Sequence, residues 1–206
     1  MTVRAVVFDI GGVLEMPTDT DLDSRWERRL GLAPGEFFAR LRRSGLGRAA
    51  NVGRVSETEF GRRLGRLYSL DEPTTGELLE DMWDWYVGEL NTEMTDYFQS
   101  LRPRYRTAIL SNAAAGGRRE EQARYGFDAM ADVLVYSYEV GIEKPDRRIY
   151  RLTCERLGVA PSEAVMVDDA ETNVVAAWEV GMHAVLFQST AQAISDLEAS
   201  LTQPTG

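Results

Sequence analysis

Cysteine is nearly absent from this chain. The one example, Cys154 in the helix-like stretch DRRIYRLTCERLG, has no partner in the sequence, which excludes an intramolecular disulfide framework and fits a reducing, cytoplasmic setting. Histidine is equally scarce: His183 stands alone at the start of HAVLF, where packing in a core or at a sheet edge is expected rather than catalysis. Nowhere do about 18 apolar residues run uninterrupted, as a membrane-spanning helix requires, and Asp9 breaks the short apolar run near the start. Neither a membrane span nor a processed leader is expected. Positive charge is in deficit, with 23 Lys+Arg against 33 Asp+Glu and a formal net charge of -10. That balance argues against a broad nucleic-acid or anionic-membrane surface, despite the local cluster Arg40, Arg42 and Arg43, and favours solubility. Internal repeats and low-complexity linkers are missing too, and only the closing SLTQPTG is expected to fray.

What is present divides into two patterns. VRAVVF, residues 3–8, is short and rich in valine, and it ends at a carboxylate followed by Gly11 and Gly12, as suits a buried parallel strand opening into a tight turn. From about Pro17 to about Asn91 the spacing becomes helical: DLDSRWERRLG, PGEFFARLRR, SETEFGRRLGRLYSL and TGELLEDMWDWYVGEL all place apolar residues three or four apart. Ser56 with Glu59 forms the pattern of a capping box. In MWDWY, Trp83 and Trp85 are two apart and cannot share a helical face, so packing among these helices is expected. Beyond Arg104, strand-like RTAILS, ADVLVYS, AVMVD and HAVLF alternate with helical stretches, the rhythm of a parallel, doubly wound, Rossmann-like sheet. Because one strand precedes the helices and the others follow them, the chain reads as an α/β core, residues 1–16 and 98–206, with an α-helical cap, residues 17–97, inserted over the strands' carboxyl ends. Open sheets of this class bind ligands there.

Four stretches carry residues suited to phosphoryl chemistry: VVFDIGGVL with Asp9, TAILSNA with Ser111, GIEKPD with Lys144, and AVMVDDAETN with Asp168 and Asp169. Taken singly, each has a commonplace reading. Asp9 could be a turn residue, Ser111 a helix N-cap, Lys144 a solvated surface charge, and the acidic pair a cap for the helix that follows. Together, a carboxylate able to attack, a lysine and a hydroxyl able to steady charge, and two adjacent carboxylates that repel one another unless a cation lies between them describe an enzyme.

In order and context, FDIGGVL, LSN, EKPD and VDDAETN resemble the motifs of the haloacid dehalogenase-like hydrolase superfamily over nearly the whole chain. NVGRVSETEF and GIEKPDRRIY are similar to the branch that includes the epoxide hydrolase phosphatase domain and sugar-phosphate phosphatases. The resemblance implies a Mg2+-dependent phosphatase acting on a small phosphorylated metabolite. Asp9 would be the nucleophile that forms an aspartyl-phosphate, and Lys144 and Ser111 would stabilise the transferring group. Asp9, the Gly11 carbonyl and Asp169 would hold the metal, with Asp168 in the outer shell or on a bound water. Asn112 would orient nucleophile or substrate, Asn173 would stand behind the site, and Arg42, Arg43, Asn51 and Trp85 of the cap would touch substrate. No nucleic-acid or membrane partner is implied, and the pattern specifies no oligomeric state.

One position departs from the family. Its phosphatases usually carry a second aspartate two residues after the nucleophile to move protons, and here Gly11 stands there. A glycine moves no proton, and a placed acid or base is worth about 10²–10⁴-fold in rate, so good leaving groups such as sugar 1-phosphates or acyl phosphates are expected. Two alternatives follow from the same residue: a 2-haloacid dehalogenase, which also lacks that aspartate and works without a metal, and a phospho-ligand-binding protein that no longer turns over.

Overall fold

The computed structural model describes residues 2–18 and 20–202. Strand β1 (Ala5–Phe8) leads to a two-residue strand β2 (Glu15–Met16) and then to helices α1 (Leu22–Leu30), α2 (Glu36–Ser44), α3 (Leu46–Asn51), α4 (Glu57–Tyr68) and α5 (Glu72–Val87). A second two-residue strand, β3 (Glu89–Leu90), and α6 (Thr92–Leu101) bring the chain back. Alternation follows: β4 (Arg106–Ser111), α7 (Gly117–Tyr125), β5 (Val133–Tyr136), α8 (Ser137–Val140), α9 (Arg147–Leu157), β6 (Ala164–Asp168), α10 (Glu171–Glu179), β7 (His183–Leu186) and α11 (Thr190–Thr202). Of the SLTQPTG tail expected to fray, the first three residues are the end of α11 and the rest lie outside the described residues.

Five strands form one parallel sheet in the order β5-β4-β1-β6-β7. The chain builds outward from β1 through β4 to β5, then returns to the other side of β1 for β6 and β7. That reversal opens a crevice at the carboxyl ends of β1, β4 and β6, the position where such sheets bind ligands. Both faces are covered, which explains why β1 is apolar throughout rather than alternating. Val6 and Phe8 enter one core cluster with Ile109, Val165 and Phe98, whereas Ala5 and Val7 enter the opposite one with Leu110, Met166 and Tyr150.

The helices between β1 and β4 have an apolar core of their own, built from Leu22, Trp26, Phe37, Leu64, Tyr68 and Leu78. Helix α6 does not share it. Met94, Phe98 and Leu101 pack on the sheet, with the Phe98 ring 4.6 Å from that of Phe8. The capping signal at Ser56 is half realised: its Oγ accepts the Glu59 N–H at 3.3 Å, but the Glu59 carboxylate turns to Arg62, Arg63 and Arg66. Antiparallel pairing of Glu15 with Leu90 and of Met16 with Glu89 ties the entry of the helical block to its exit. His183 opens the edge strand β7 and is exposed, at the end of the strand remote from the crevice.

Candidate active site

Asp9 follows β1 directly, and its N–H donates to the Val167 carbonyl of β6 at 3.0 Å, so sheet bonding continues one residue past the strand and fixes the carboxylate at its tip. Ser111 ends β4 and Asp168 ends β6, the two neighbours of β1, so strand order alone brings three distant motifs together. Lys144 joins them from the loop between α8 and α9. Its Nζ lies 2.8 Å from Asp9 Oδ2 and 2.7 Å from Asp168 Oδ2, fully inside the protein. It is also the sole lysine of the sequence. Every other cation is an arginine or the lone histidine, and a compact ammonium on a slim stem suits a buried point between two carboxylates better than a broad guanidinium fork.

The supports of this triad are visible. Asp168 Oδ1 accepts from the Asn173 side-chain amide and from the Ala170 N–H, both at 2.9 Å, while Asp9 Oδ1 accepts from the Ile10 N–H at 2.7 Å. Asn112 donates from Nδ2 to the Lys144 carbonyl at 2.9 Å and accepts the Lys144 N–H at Oδ1 at 2.8 Å. The Asn112 amide thus grips the lysine's main chain and positions Lys144. Behind it, Ser137 Oγ accepts the Ala113 N–H at 3.0 Å and steadies the turn after Ser111.

Electrostatics follow from burial. Burial pulls the Lys144 pKa down, but the charges of Asp9 and Asp168 outweigh it and hold the ammonium above the usual lysine range. Asp9 is pushed up to about 7, first by burial and then by the charge of Asp168, against the pull of Lys144. Asp169 is raised by burial and by Asp168. Three carboxylates thus face one ammonium, and carboxylate oxygens of Asp9, Asp168 and Asp169 lie within 4.8 Å of one another. At about 5 Å and an effective dielectric near 20, each uncompensated pair repels by about 3 kcal/mol, a load that a divalent cation would remove. Hard oxygen donors and a surplus of negative charge fit Mg2+. Gly12 makes room for the arrangement: it sits at φ +76, and a Cβ there would fall 2.3 Å from Asp169 Oδ2.

A pocket of about 180 Å³ adjoins these groups. Asp9, Gly11, Ser111 and Lys144 border it, together with Asn112 and Asn173. A cleft of about 680 Å³ between α3 and the loop 141–146 is larger and includes Gly141, Ile142, Glu143, Pro145 and Asp146 from the stretch that carries Lys144, but it borders none of Asp9, Ser111, Lys144, Asp168 and Asp169, so chemistry rather than size marks the site. Arg42, Arg43, Asn51 and Trp85, the cap residues expected to touch substrate, do not border the small pocket. The reason is packing: α2 buries Phe37 in the helical core and leaves Arg42 and Arg43 to solvent, Arg43 paired with Glu36, while the Trp85 ring packs on Phe38 at 4.9 Å. Three other residues stand in their place: Glu15 from β2, Tyr86 from α5 and Glu121 from α7. Glu15 lay in an otherwise apolar context, VLEMP, which was the available signal; Glu121, in the polar run GRREEQARY, had none.

The model of the haloacid dehalogenase-like hydrolases matches residues 3–181. The chain belongs to that family. Relatives of this hydrolase include the D-ribitol-5-phosphate phosphatase of Bacteroides thetaiotaomicron, 28% identical over 188 residues that make up 87% of this chain and 89% of that protein. Acyl-CoA dehydrogenase family member 10 of Mus musculus is 31% identical over 212 residues, 98% of this chain but 19% of that protein, so the chain spans only a small part of that relative. Among solved structures, a HAD family enzyme from Bacteroides thetaiotaomicron in complex with magnesium and inorganic phosphate matches this hydrolase with a TM-score of 0.81 at 18% identity, over 95% of this chain and 98% of that one. At that identity the likeness is one of fold. No helix among the described residues is long and apolar enough to cross a membrane.

Proposed function

We propose that this hydrolase is a Mg2+-dependent phosphatase of small phosphorylated metabolites, with Asp9 as its nucleophile. The observation that carries this reading is the buried ammonium of Lys144 between Asp9 and Asp168, beside a third carboxylate and a small pocket. The Asp9 carboxylate attacks phosphorus, the bond to the leaving oxygen breaks, and water then hydrolyses the aspartyl-phosphate. Dividing the displacement this way works only if anionic nucleophile and anionic substrate can approach, and Lys144 supplies part of that compensation from a fixed position. Ser111 and the neighbouring backbone amides hold a phosphoryl oxygen. Asp9, the Gly11 carbonyl and Asp169 would hold Mg2+, with Asp168 behind them, and the ion when bound neutralises charge on the phosphoryl oxygens. Asn112, Asn173 and Ala170 keep lysine and Asp168 in register.

The helices α1–α5, with their separate core, act in this reading as a cap over the crevice. Its boundary falls at the β2–β3 pair, ahead of α6, which packs on the sheet. The pocket of about 180 Å³ suits a phosphate on a few carbons, and a relative named for a pentitol phosphate is consistent with that scale. A reducing cytoplasm suits the lone buried thiol. Metal-free displacement of halide would leave Asp169 without compensation, which disfavours a dehalogenase.

The test is phosphate release from acetyl phosphate and from a sugar 1-phosphate, with Mg2+ and with EDTA, for wild type and Asp9→Asn. Release that needs Mg2+ and Asp9 supports the reading. A metal-loaded protein inert towards every phosphate, or one that frees chloride from a 2-chloro acid in EDTA, contradicts it.

A further inference from the structure

Position 11 leaves a mechanistic gap, and the wall of the same pocket holds groups that the motif chemistry does not use. Among the side chains of helix α7 only one is fully buried, and it is a carboxyl: Glu121 is 1% exposed, whereas its neighbours in GRREEQARY are half-buried or exposed, Tyr125 lying partly against the core. At a core-facing helical position, stability favours an apolar residue, and an ionisable group there costs free energy unless fully partnered. Glu121 is only half partnered. Its Oε1 accepts the Tyr86 hydroxyl at 2.9 Å, while its Oε2 and the buried hydroxyl of nearby Tyr136 each lack a hydrogen bond of normal geometry. Glu15, 2% exposed, borders the same space and also has an unpartnered oxygen, Oε1. Both line the pocket with Asp9 and Gly11, and a Cβ built on Gly11 meets nothing within 4 Å, so the region an aspartate at 11 would occupy is open.

We infer that Glu121, oriented by Tyr86, carries the proton that an aspartate at position 11 would otherwise carry. The inference rests on the phosphatase reading above. In the first half-reaction the Glu121 carboxylic acid gives its proton to the leaving oxygen as the P–O bond breaks and Asp9–phosphorus bonding forms, releasing an alcohol and leaving a carboxylate. In the second, that carboxylate takes a proton from water as the water oxygen bonds to phosphorus and the Asp9–phosphorus bond breaks, releasing inorganic phosphate and restoring the acid.

The groups facing Glu121 are Tyr86 of α5, Tyr136 of β5, Tyr138 of α8 and Glu15 of β2, with Arg124 of its own helix nearer Glu15 and ion-paired to Asp84. Burial raises Glu121 to about 7, against the two nearest tyrosine hydroxyls, so both protonation states are accessible at neutral pH.

The experiment compares kcat/KM for an alkyl phosphate, glycerol phosphate, with that for acetyl phosphate, whose leaving group needs little protonation, in the Mg2+-loaded full chain. Glu121→Gln is expected to lower the ratio of alkyl to acyl phosphate by about 10²-fold or more. It should also abolish the descending limb of the alkyl-phosphate pH profile near pH 7. Adding Gly11→Asp to Glu121→Gln should restore at least part of the ratio. If Glu121→Gln does not fold, Tyr86→Phe serves, and it should displace that limb along the pH axis. Equal loss on both substrates with the limb unmoved would make Glu121 purely structural and overturn the inference. Inertness of wild type towards both substrates would instead refute the phosphatase reading itself.

Discussion

Replacing Glu121 by glutamine removes a titrating group while keeping its shape, and the consequence for stability can be worked out without reference to activity. An ordinary glutamate has a pKa of 4.5, and burial lifts Glu121 to about 7 in the fold, opposed by the hydroxyls of Tyr136 and Tyr86. The folded protein therefore binds this proton more tightly than the unfolded chain does. The associated stabilisation is complete below pH 4.5 and is lost as the pH rises through about 7. Each tenfold in proton affinity is about 1.4 kcal/mol, so the total lost over that window is about 3 kcal/mol. For a chain of this size 1 kcal/mol moves Tm by about 2–4 °C, which gives roughly 6–12 °C. The assay is Tm by calorimetry or circular dichroism at intervals from pH 4.5 to pH 8.5, with EDTA present. Glu121→Gln should show a flatter decline than wild type by that amount, whatever constant offset the substitution adds. Parallel curves for the two proteins would refute the argument that Glu121 is buried with an elevated pKa.

Other consequences concern the triad and the metal. Lys144→Met leaves Asp9 and Asp168 facing each other without a counter-charge; thermal unfolding should show a loss of about 3–5 kcal/mol at pH 8 that shrinks at pH 5, as the raised Asp9 carboxyl takes up a proton. Saturating Mg2+ should raise Tm, by an amount equivalent to about 2.7 kcal/mol at a hundred times Kd, and Asp169→Asn should cancel most of that rise. Gly12→Ala places a methyl group 2.3 Å from Asp169 Oδ2 on a backbone of positive φ, so calorimetry should find a weakened Mg2+ response in a protein that retains its circular-dichroism spectrum.

Legibility in the sequence followed the physics of each element. Apolar runs buried on both faces read clearly as parallel strands, and three of the four chemical motifs stood at the end of one, so Asp9, Ser111 and Asp168 could be placed from the sequence, whereas Lys144 lies in the loop between α8 and α9. Their convergence needed the strand order, which puts β1 between β4 and β6. The β2–β3 pair, two residues long on each side, is too short for any periodicity to show. Helix α6 was split by the expected boundary because its apolar residues suit either core, and only tertiary packing assigns them to the sheet. Nor can a pattern of charges say which of Glu120 and Glu121 faces inward; the answer depends on where α7 meets α5 and β5. Arg42 and Arg43 suggested substrate contacts because residue type was visible and helix orientation was not.

The most direct measurement is the identity of the phosphorylated residue. Enzyme mixed with acetyl phosphate and Mg2+, acid-quenched, treated with borohydride and digested should yield a peptide in which position 9 has become homoserine, the reduction product of an aspartyl-phosphate, and the signal should vanish in EDTA. An unmodified Asp9 during demonstrable turnover, or reduction at a different residue, would contradict the account.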